Sequence, residues 1–149
     1  MIKIMFVCHG NICRSPMAEF VMKNIVRKNG DDGRFYICSA ATSNEEIGHD
    51  IHRGTKQILK EKNIPFHRRE AVRLTKNDYE KYDYIIGMDS YNFQNILKIF
   101  GCDPEEKVHL LLSFADIDRN IADPWYTNDF ECTYNDILKG CTALYSKLK

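Results

Sequence analysis

Cys8, Gly10, Asn11, Arg14, Ser15 and Pro16 stand between an apolar run at residues 2–7 and a helical pattern that begins at Met17. A buried strand, a short loop and a helix start in succession make an anion site, because the first amides of a helix lack internal partners and lie at the positive end of its dipole. Gly10 and Asn11 tolerate the left-handed backbone that lets consecutive amides converge. His9, Ile12 and Cys13 complete the loop. Arg14, six positions after Cys8, can fold over it and clamp two oxygens as a fork. Ser15 suits an N-cap and Pro16 a first helical position. The Ser15 hydroxyl is also placed to reach the Cys8 sulfur.

Amide dipoles and a guanidinium around Cys8 favour its thiolate form. A thiolate at the floor of an oxyanion cradle is a nucleophile facing phosphorus. The alternative is an inert, buried cysteine at a strand end. Cysteine, five residues and arginine is a weak pattern alone; the preceding strand, Gly10, Asn11 and Ser15-Pro16 make it specific.

Val7-Cys8-His9-Gly10-Asn11-Ile12-Cys13-Arg14-Ser15-Pro16 resembles the signature loop of the low-molecular-weight protein tyrosine phosphatases. Ser39 to Ser43 with Ile47-Gly48, Met88 to Asn92, and Asp123-Pro124-Trp125-Tyr126 resemble further segments of that family, so the likeness covers nearly the whole chain. It implies a catalytic set of Cys8, Arg14 and Asp123, with Asp123 as general acid. Ile12, Glu45, Trp125 and Tyr126 would wall the substrate cleft. Glu45 stands where many members carry an aromatic residue. A family histidine that braces the loop has His67 as its nearest counterpart, out of register and not counted as catalytic. The substrates implied are tyrosine-phosphorylated proteins and the product inorganic phosphate, with no cofactor or metal. A monomer or weak self-association is expected.

The elements that must position these residues follow from patterning. Ala18, Val21, Met22 and Ile25 give a helix one apolar face, ending near Asn29-Gly30. Residues 34–39 read as a second strand, 55–63 as a helix, 82–88 as a third strand and 107–112 as a fourth. Residues 42–54 form a polar loop of functional length. Asp89 lies past the third strand, either on the ligand-binding edge or as the cap of the helix that follows. Residues 113–127 read as a loop carrying Asp123. Residues 129–149 form an amphipathic helix expected to pack on the sheet without chemistry. This alternation predicts an α/β, single-domain, doubly wound four-stranded parallel sheet with helices on both faces over residues 1–149. The strand order 2-1-3-4 is what the resemblance implies.

Bulk properties exclude other classes. Twenty-one lysines and arginines balance 21 aspartates and glutamates, so no net charge points to nucleic acid or a membrane surface. The first apolar run is interrupted by Lys3, unlike a secretory signal, and no run is long enough to span a bilayer. The six cysteines, without a CxxC, read as free thiols of a cytoplasmic protein. Cys13 is close enough in sequence to form a disulfide with an oxidised Cys8 and is the expected redox partner.

Three rival functions share parts of this pattern. Arginine phosphatases of the same scaffold are implied to carry threonine where this chain has Ile12. Thiol-coupled arsenate reductases need relay cysteines that are absent between Cys38 and Cys102. A phosphate-binding module would need neither Cys8 nor Asp123.

Overall fold

Alternate residues of the first strand enter two different cores: Ile4, Phe6 and Cys8 pack on one side, Met5 and Val7 on the other. Burial of both faces requires helices above and below the sheet. The computed structural model describes residues 1–149 and meets that requirement. Strands β1 (Ile2–Cys8), β2 (Phe35–Ala41), β3 (Tyr84–Gly87) and β4 (Val108–Leu110) are all parallel, in the order β2-β1-β3-β4. The helices are α1 (Arg14–Lys28), α2 (Arg53–Glu61), α3 (Asp78–Lys81), α4 (Ser90–Phe100), α5 (Pro124–Thr127) and α6 (Phe130–Leu148).

Met17, Val21 and Met22 of α1, Leu59 of α2, and Ile137, Cys141 and Leu144 of α6 fill the larger core. Ile96 and Phe100 of α4 fill the smaller one with Leu74 and Tyr82. Gly140 lets α6 come close: a Cβ there would lie 2.4 Å from Leu111 Cγ. That approach sets α6 against the segment leading from β4 to Asp123.

Several boundaries differ from the sequence reading. Helix α1 starts at Arg14 with Cys13 at the cap position, so Ser15 and Pro16 are second and third in the helix rather than cap and first. The Ser15 hydroxyl is taken by Cys8 and Asn11 instead of capping. Proline stays inside the first turn, where its missing N–H loses no helix bond. Helix α2 begins two residues early because His52 caps it, its Nδ1 accepting from Gly54 N at 3.0 Å. Strand β2 starts at Phe35 and runs on to Ala41, paired with β1 throughout. The third and fourth strands are shorter than expected. Tyr82 and Met88 are buried but off the ladder, and Leu111 and Leu112 begin a 3₁₀ turn, Leu111–Ala115, that buries them without strand pairing. Within the expected loop 113–127, Asp123 opens α5.

Candidate active site

The loop from Cys8 to Ser15 surrounds one sulfur. Cys8 Sγ accepts from Asn11 N at 3.3 Å and Ser15 N at 3.4 Å, and lies 3.0 Å from Ser15 Oγ. The carbonyls of Cys8, His9, Asn11, Ile12 and Cys13 are held from outside the loop. Cys8 O accepts Thr42 N at 3.0 Å, His9 O accepts Ser43 N at 3.1 Å and Ser43 Oγ at 2.9 Å, and Ile12 O accepts His52 N at 2.9 Å. Cys13 O accepts Thr55 Oγ1 at 3.2 Å and Met17 N at 3.2 Å, and Asn11 O accepts Arg69 Nη2. In a trans peptide the N–H points opposite to the C=O. Fixing these carbonyls outward therefore turns the amides of His9, Gly10, Ile12, Cys13 and Arg14 inward. Such converging amides form an anion cradle.

Asn11 closes the turn in the left-handed region, at φ 59°. Its side chain is fully engaged: Nδ2 donates to Ser15 Oγ at 2.8 Å and Ser39 Oγ at 2.9 Å, while Oδ1 accepts Val72 N at 3.1 Å. Ser39 Oγ in turn donates to Glu19 Oε1 at 2.6 Å. His67 takes no part; its Nδ1 pairs with Arg68 O and its ring lies edge-on to Phe20. The bracing cation is Arg69, which joins Asn11 O to His49 O in the loop after β2. Asp50 accepts the Arg69 amide at 3.0 Å and Lys56 Nζ at 2.5 Å.

Arg14 is 2% exposed and aims its guanidinium at the cleft. Nη1 donates to Asp89 Oδ2 at 2.7 Å and Ile121 O at 2.9 Å; Nη2 lies 3.4 Å from Asp123 Oδ2. Burial opposes its charge, but the negative charges of Cys8, Asp89 and Asp123 outweigh burial and hold its pKa above the usual value. Asp123 caps α5 by accepting Trp125 N at 3.0 Å, and Pro124 stiffens the backbone beside it.

The cleft is lined by Cys8, His9, Gly10, Ile12, Cys13, Arg14, Glu45, Glu46, Asp123, Trp125 and Tyr126. Residues from three separate segments thus meet at the carboxyl edge of β1. Trp125 and Tyr126 are exposed, as is Glu45, which pairs with His9 at 2.9 Å. Cys13 is buried beside Cys8; burial first, then the neighbouring Cys8 and Asp123 charges, push its thiol up to about 12. The arrangement can hold a phosphate group, present sulfur to phosphorus and hand a proton to the opposite side.

The sequence reading missed Glu19, Arg69, Thr133 and Asp136, whose partners are distant in the chain. Asp136 did leave a signal: a carboxylate between Thr133 and Gly140, on the face of α6 that carries Ile137 into the core. It is 5% exposed and takes a bidentate bond from Arg119.

A thiol under an anion cradle on a four-stranded parallel sheet, with a carboxylate at the mouth, defines the cysteine-dependent phosphatases. Residues 3–149 match the model of the low molecular weight phosphotyrosine protein phosphatases, and the chain belongs to that family. It is 35% identical to the low molecular weight protein-tyrosine-phosphatase YfkJ of Bacillus subtilis, over 100% of this chain and 97% of that protein. The crystal structure of YfkJ superposes with a TM-score of 0.95 over 99% of this chain and 94% of that one. The low molecular weight protein tyrosine phosphatase SP-PTP of Streptococcus pyogenes is 44% identical, with a TM-score of 0.89 over 100% and 94%. A Drosophila arginine phosphatase is 27% identical, with a TM-score of 0.88 over 99% of this chain and 98% of its own. No helix of the chain is long and apolar enough to cross a membrane.

Proposed function

We propose that this phosphatase hydrolyses phosphotyrosine in proteins, and aryl phosphates generally, through a cysteinyl-phosphate intermediate. The observation that carries the reading is the meeting of Cys8, Arg14 and Asp123 around one cleft walled by Ile12, Trp125 and Tyr126. Cys8 thiolate attacks phosphorus in line, forming the S–P bond as the P–O bond to the phenol breaks, and Asp123 protonates the departing oxygen. The inward amides and Arg14 hold the three equatorial oxygens as charge redistributes. Water, deprotonated by Asp123, then attacks phosphorus, and the S–P bond breaks to return Cys8 thiolate and inorganic phosphate. Ser15 Oγ, 3.0 Å from the sulfur, stabilises that leaving thiolate. The amides and Arg14 supply the positive charge, so the reaction as written uses no metal.

Phosphoarginine is the competing substrate, because a Drosophila arginine phosphatase shares the fold. The Ile12 side chain lines the cleft. An apolar wall suits a phenyl ring better than a guanidinium, which favours phosphotyrosine.

All six cysteines are free, as suits a reducing cytoplasm. Cys13 acts there as the resolving thiol when peroxide oxidises Cys8. The enzyme works on tyrosine-phosphorylated proteins as a monomer or a weakly self-associating species.

The test compares para-nitrophenyl phosphate, a phosphotyrosine peptide and phosphoarginine for wild type, Cys8→Ser and Asp123→Ala. Phosphotyrosine turnover lost in the first variant and cut at least about 100-fold in the second is expected. Preference for phosphoarginine would overturn the substrate assignment, and no turnover of any of the three would overturn the catalytic one.

A further inference from the structure

The segment that carries Asp123 is pinned to α6 by two buried side chains one helical turn apart. Thr133 Oγ1 donates to Ala122 O at 2.9 Å. That carbonyl belongs to the peptide unit whose nitrogen is Asp123 N, so the bond fixes the plane from which the Asp123 side chain projects. Three residues further along the helix, Asp136 accepts both Nη1 and Nη2 of Arg119, at 2.6 and 2.8 Å. Arg119 is half-exposed, whereas Asp136 and Thr133 are 5% and 0% exposed. On the other side of the segment, Ile121 N donates to Met88 O at 2.9 Å and Ile121 O accepts from Arg14. Residues 119–123 are therefore held between the sheet edge and α6.

A buried carboxylate is costly in a helix face that otherwise packs on a core, and an apolar residue of similar volume is often as stable. Here the carboxylate faces a bidentate arginine from the segment that ends in Asp123. Fork-to-fork geometry fixes direction as well as distance. We propose that Thr133 and Asp136 are positioning residues for the general acid: α6 sets where Asp123 stands relative to the leaving oxygen, through Ala122 O and Arg119. The inference rests on the reading of Asp123 as general acid. It gives α6 a part in the reaction without contact with substrate.

A misplaced acid hurts most when the leaving group most needs a proton. The experiment measures kcat/KM for aryl phosphates running from a strongly acidic leaving phenol to phenol itself, with inhibition by inorganic phosphate as a reporter of the cradle. Variants are Thr133→Val, Thr133→Ser, Asp136→Asn, Arg119→Gln and, as reference, Asp123→Asn. Thr133→Val and Asp136→Asn are expected to lose about tenfold on phenyl phosphate and much less on the acidic phenol's ester, a fraction of the full general-acid effect. Phosphate inhibition stays within about twofold and Thr133→Ser restores the wild-type slope, since its hydroxyl can remake the bond. Equal loss on every ester together with weakened phosphate binding marks a merely structural role and overturns the proposal. If a buried variant does not fold, the half-exposed Arg119→Gln carries the same comparison, and an unchanged slope there overturns it. A steepened slope in Asp123→Asn with unchanged slopes in the others sinks the positioning role alone. No steepening in Asp123→Asn sinks the assignment of the acid itself.

Discussion

Arg14 and Asp89 meet at 2.7 Å, and the carboxylate that makes this contact also caps a helix. Asp89 Oδ2 faces the guanidinium while Oδ1 accepts Asn92 N at 2.8 Å at the start of α4. Cap and site partner, which the sequence leaves as alternatives, are one residue using its two oxygens. Asparagine caps helices as well as aspartate does, so substitution can separate the two roles.

Asp89→Asn should keep the melting temperature near wild type and lower kcat/KM for para-nitrophenyl phosphate about tenfold, because the charged partner that orients Arg14 is gone. Asp89→Ala should lose a further ~1 kcal/mol of stability with the cap. An Asp89→Asn enzyme with undiminished kcat/KM would mean that Ile121 O alone orients the guanidinium.

Arg69 holds Asn11 O and so the inward N–H of Ile12. Arg69→Met should raise the inhibition constant for inorganic phosphate about tenfold, and Arg69→Lys should recover part of that loss through a single-point donor. Titrating phosphate against aryl phosphate turnover reads both. No change in Arg69→Met would leave the loop's own turn geometry as sufficient.

The contrast between Asp89, Arg69 and the loop itself explains what could be read in advance. The residues from Cys8 to Ser15 are contiguous, and their strand, turn and helix-start signals are local, so their geometry was legible. Alternation of Ile4 and Phe6 with Met5 and Val7 likewise made two-sided burial legible. Arg69 stands in the run His67-Arg68-Arg69 with no local signal of a partner, and bonds distant in sequence, Ala71 N to His49 O, Gly48 N to Ala71 O and Val72 N to Asn11 Oδ1, bring it under the loop. Thr133 and Asp136 depend on Gly140 admitting α6 close to Leu111, a tertiary approach that the carboxylate on the core face hints at without naming its partner. Of the two roles open to Ser15, the cap is not used because its hydroxyl is spent on Cys8 and Asn11.

Asp50 ties the Arg69 backbone to Lys56, and its titration predicts an acid limit to stability. Burial alone would raise its pKa, but bonds from Lys56 and the amides of Arg69 and Ile51 outweigh burial and bring it down to about 2. The folded value lies below the ordinary carboxylate value near ~3.9, so the stabilisation is fully present above that value and is lost as pH falls from about 4 towards about 2. Urea midpoints at pH 5 and pH 3 should fall less between the two for Asp50→Asn than for wild type, with the variant weaker at pH 5. Parallel midpoints for the two proteins would show that Asp50 does not carry this dependence.

Cys13 predicts the redox behaviour. Held up at about 12, its thiol is itself a poor nucleophile towards phosphorus and a slow target for peroxide. Oxidation should therefore start at Cys8 and pass to Cys13 as a disulfide that dithiothreitol reverses. After a peroxide pulse, wild type should regain most activity on reduction, whereas Cys13→Ser should lose it irreversibly. Equal recovery would remove Cys13 from the role.

Ile12 is expected to set the choice between two substrate chemistries, and the backbone around it allows a clean exchange. Arg69 on Asn11 O and His52 N on Ile12 O hold both flanking peptide planes, so a change confined to the side chain leaves the cradle intact. Ile12→Thr keeps the branching at Cβ, removes an apolar wall from the leaving-group side and supplies a hydroxyl that can accept from a guanidinium. Since one methyl-sized contact in a pocket is worth about tenfold or more in discrimination, the ratio of phosphotyrosine to phosphoarginine kcat/KM should fall by about that factor. Phosphate inhibition should stay unchanged, which separates a wall effect from damage to the loop. A ratio that does not move would place the selectivity with Trp125 and Tyr126, and Trp125→Ala then becomes the deciding variant.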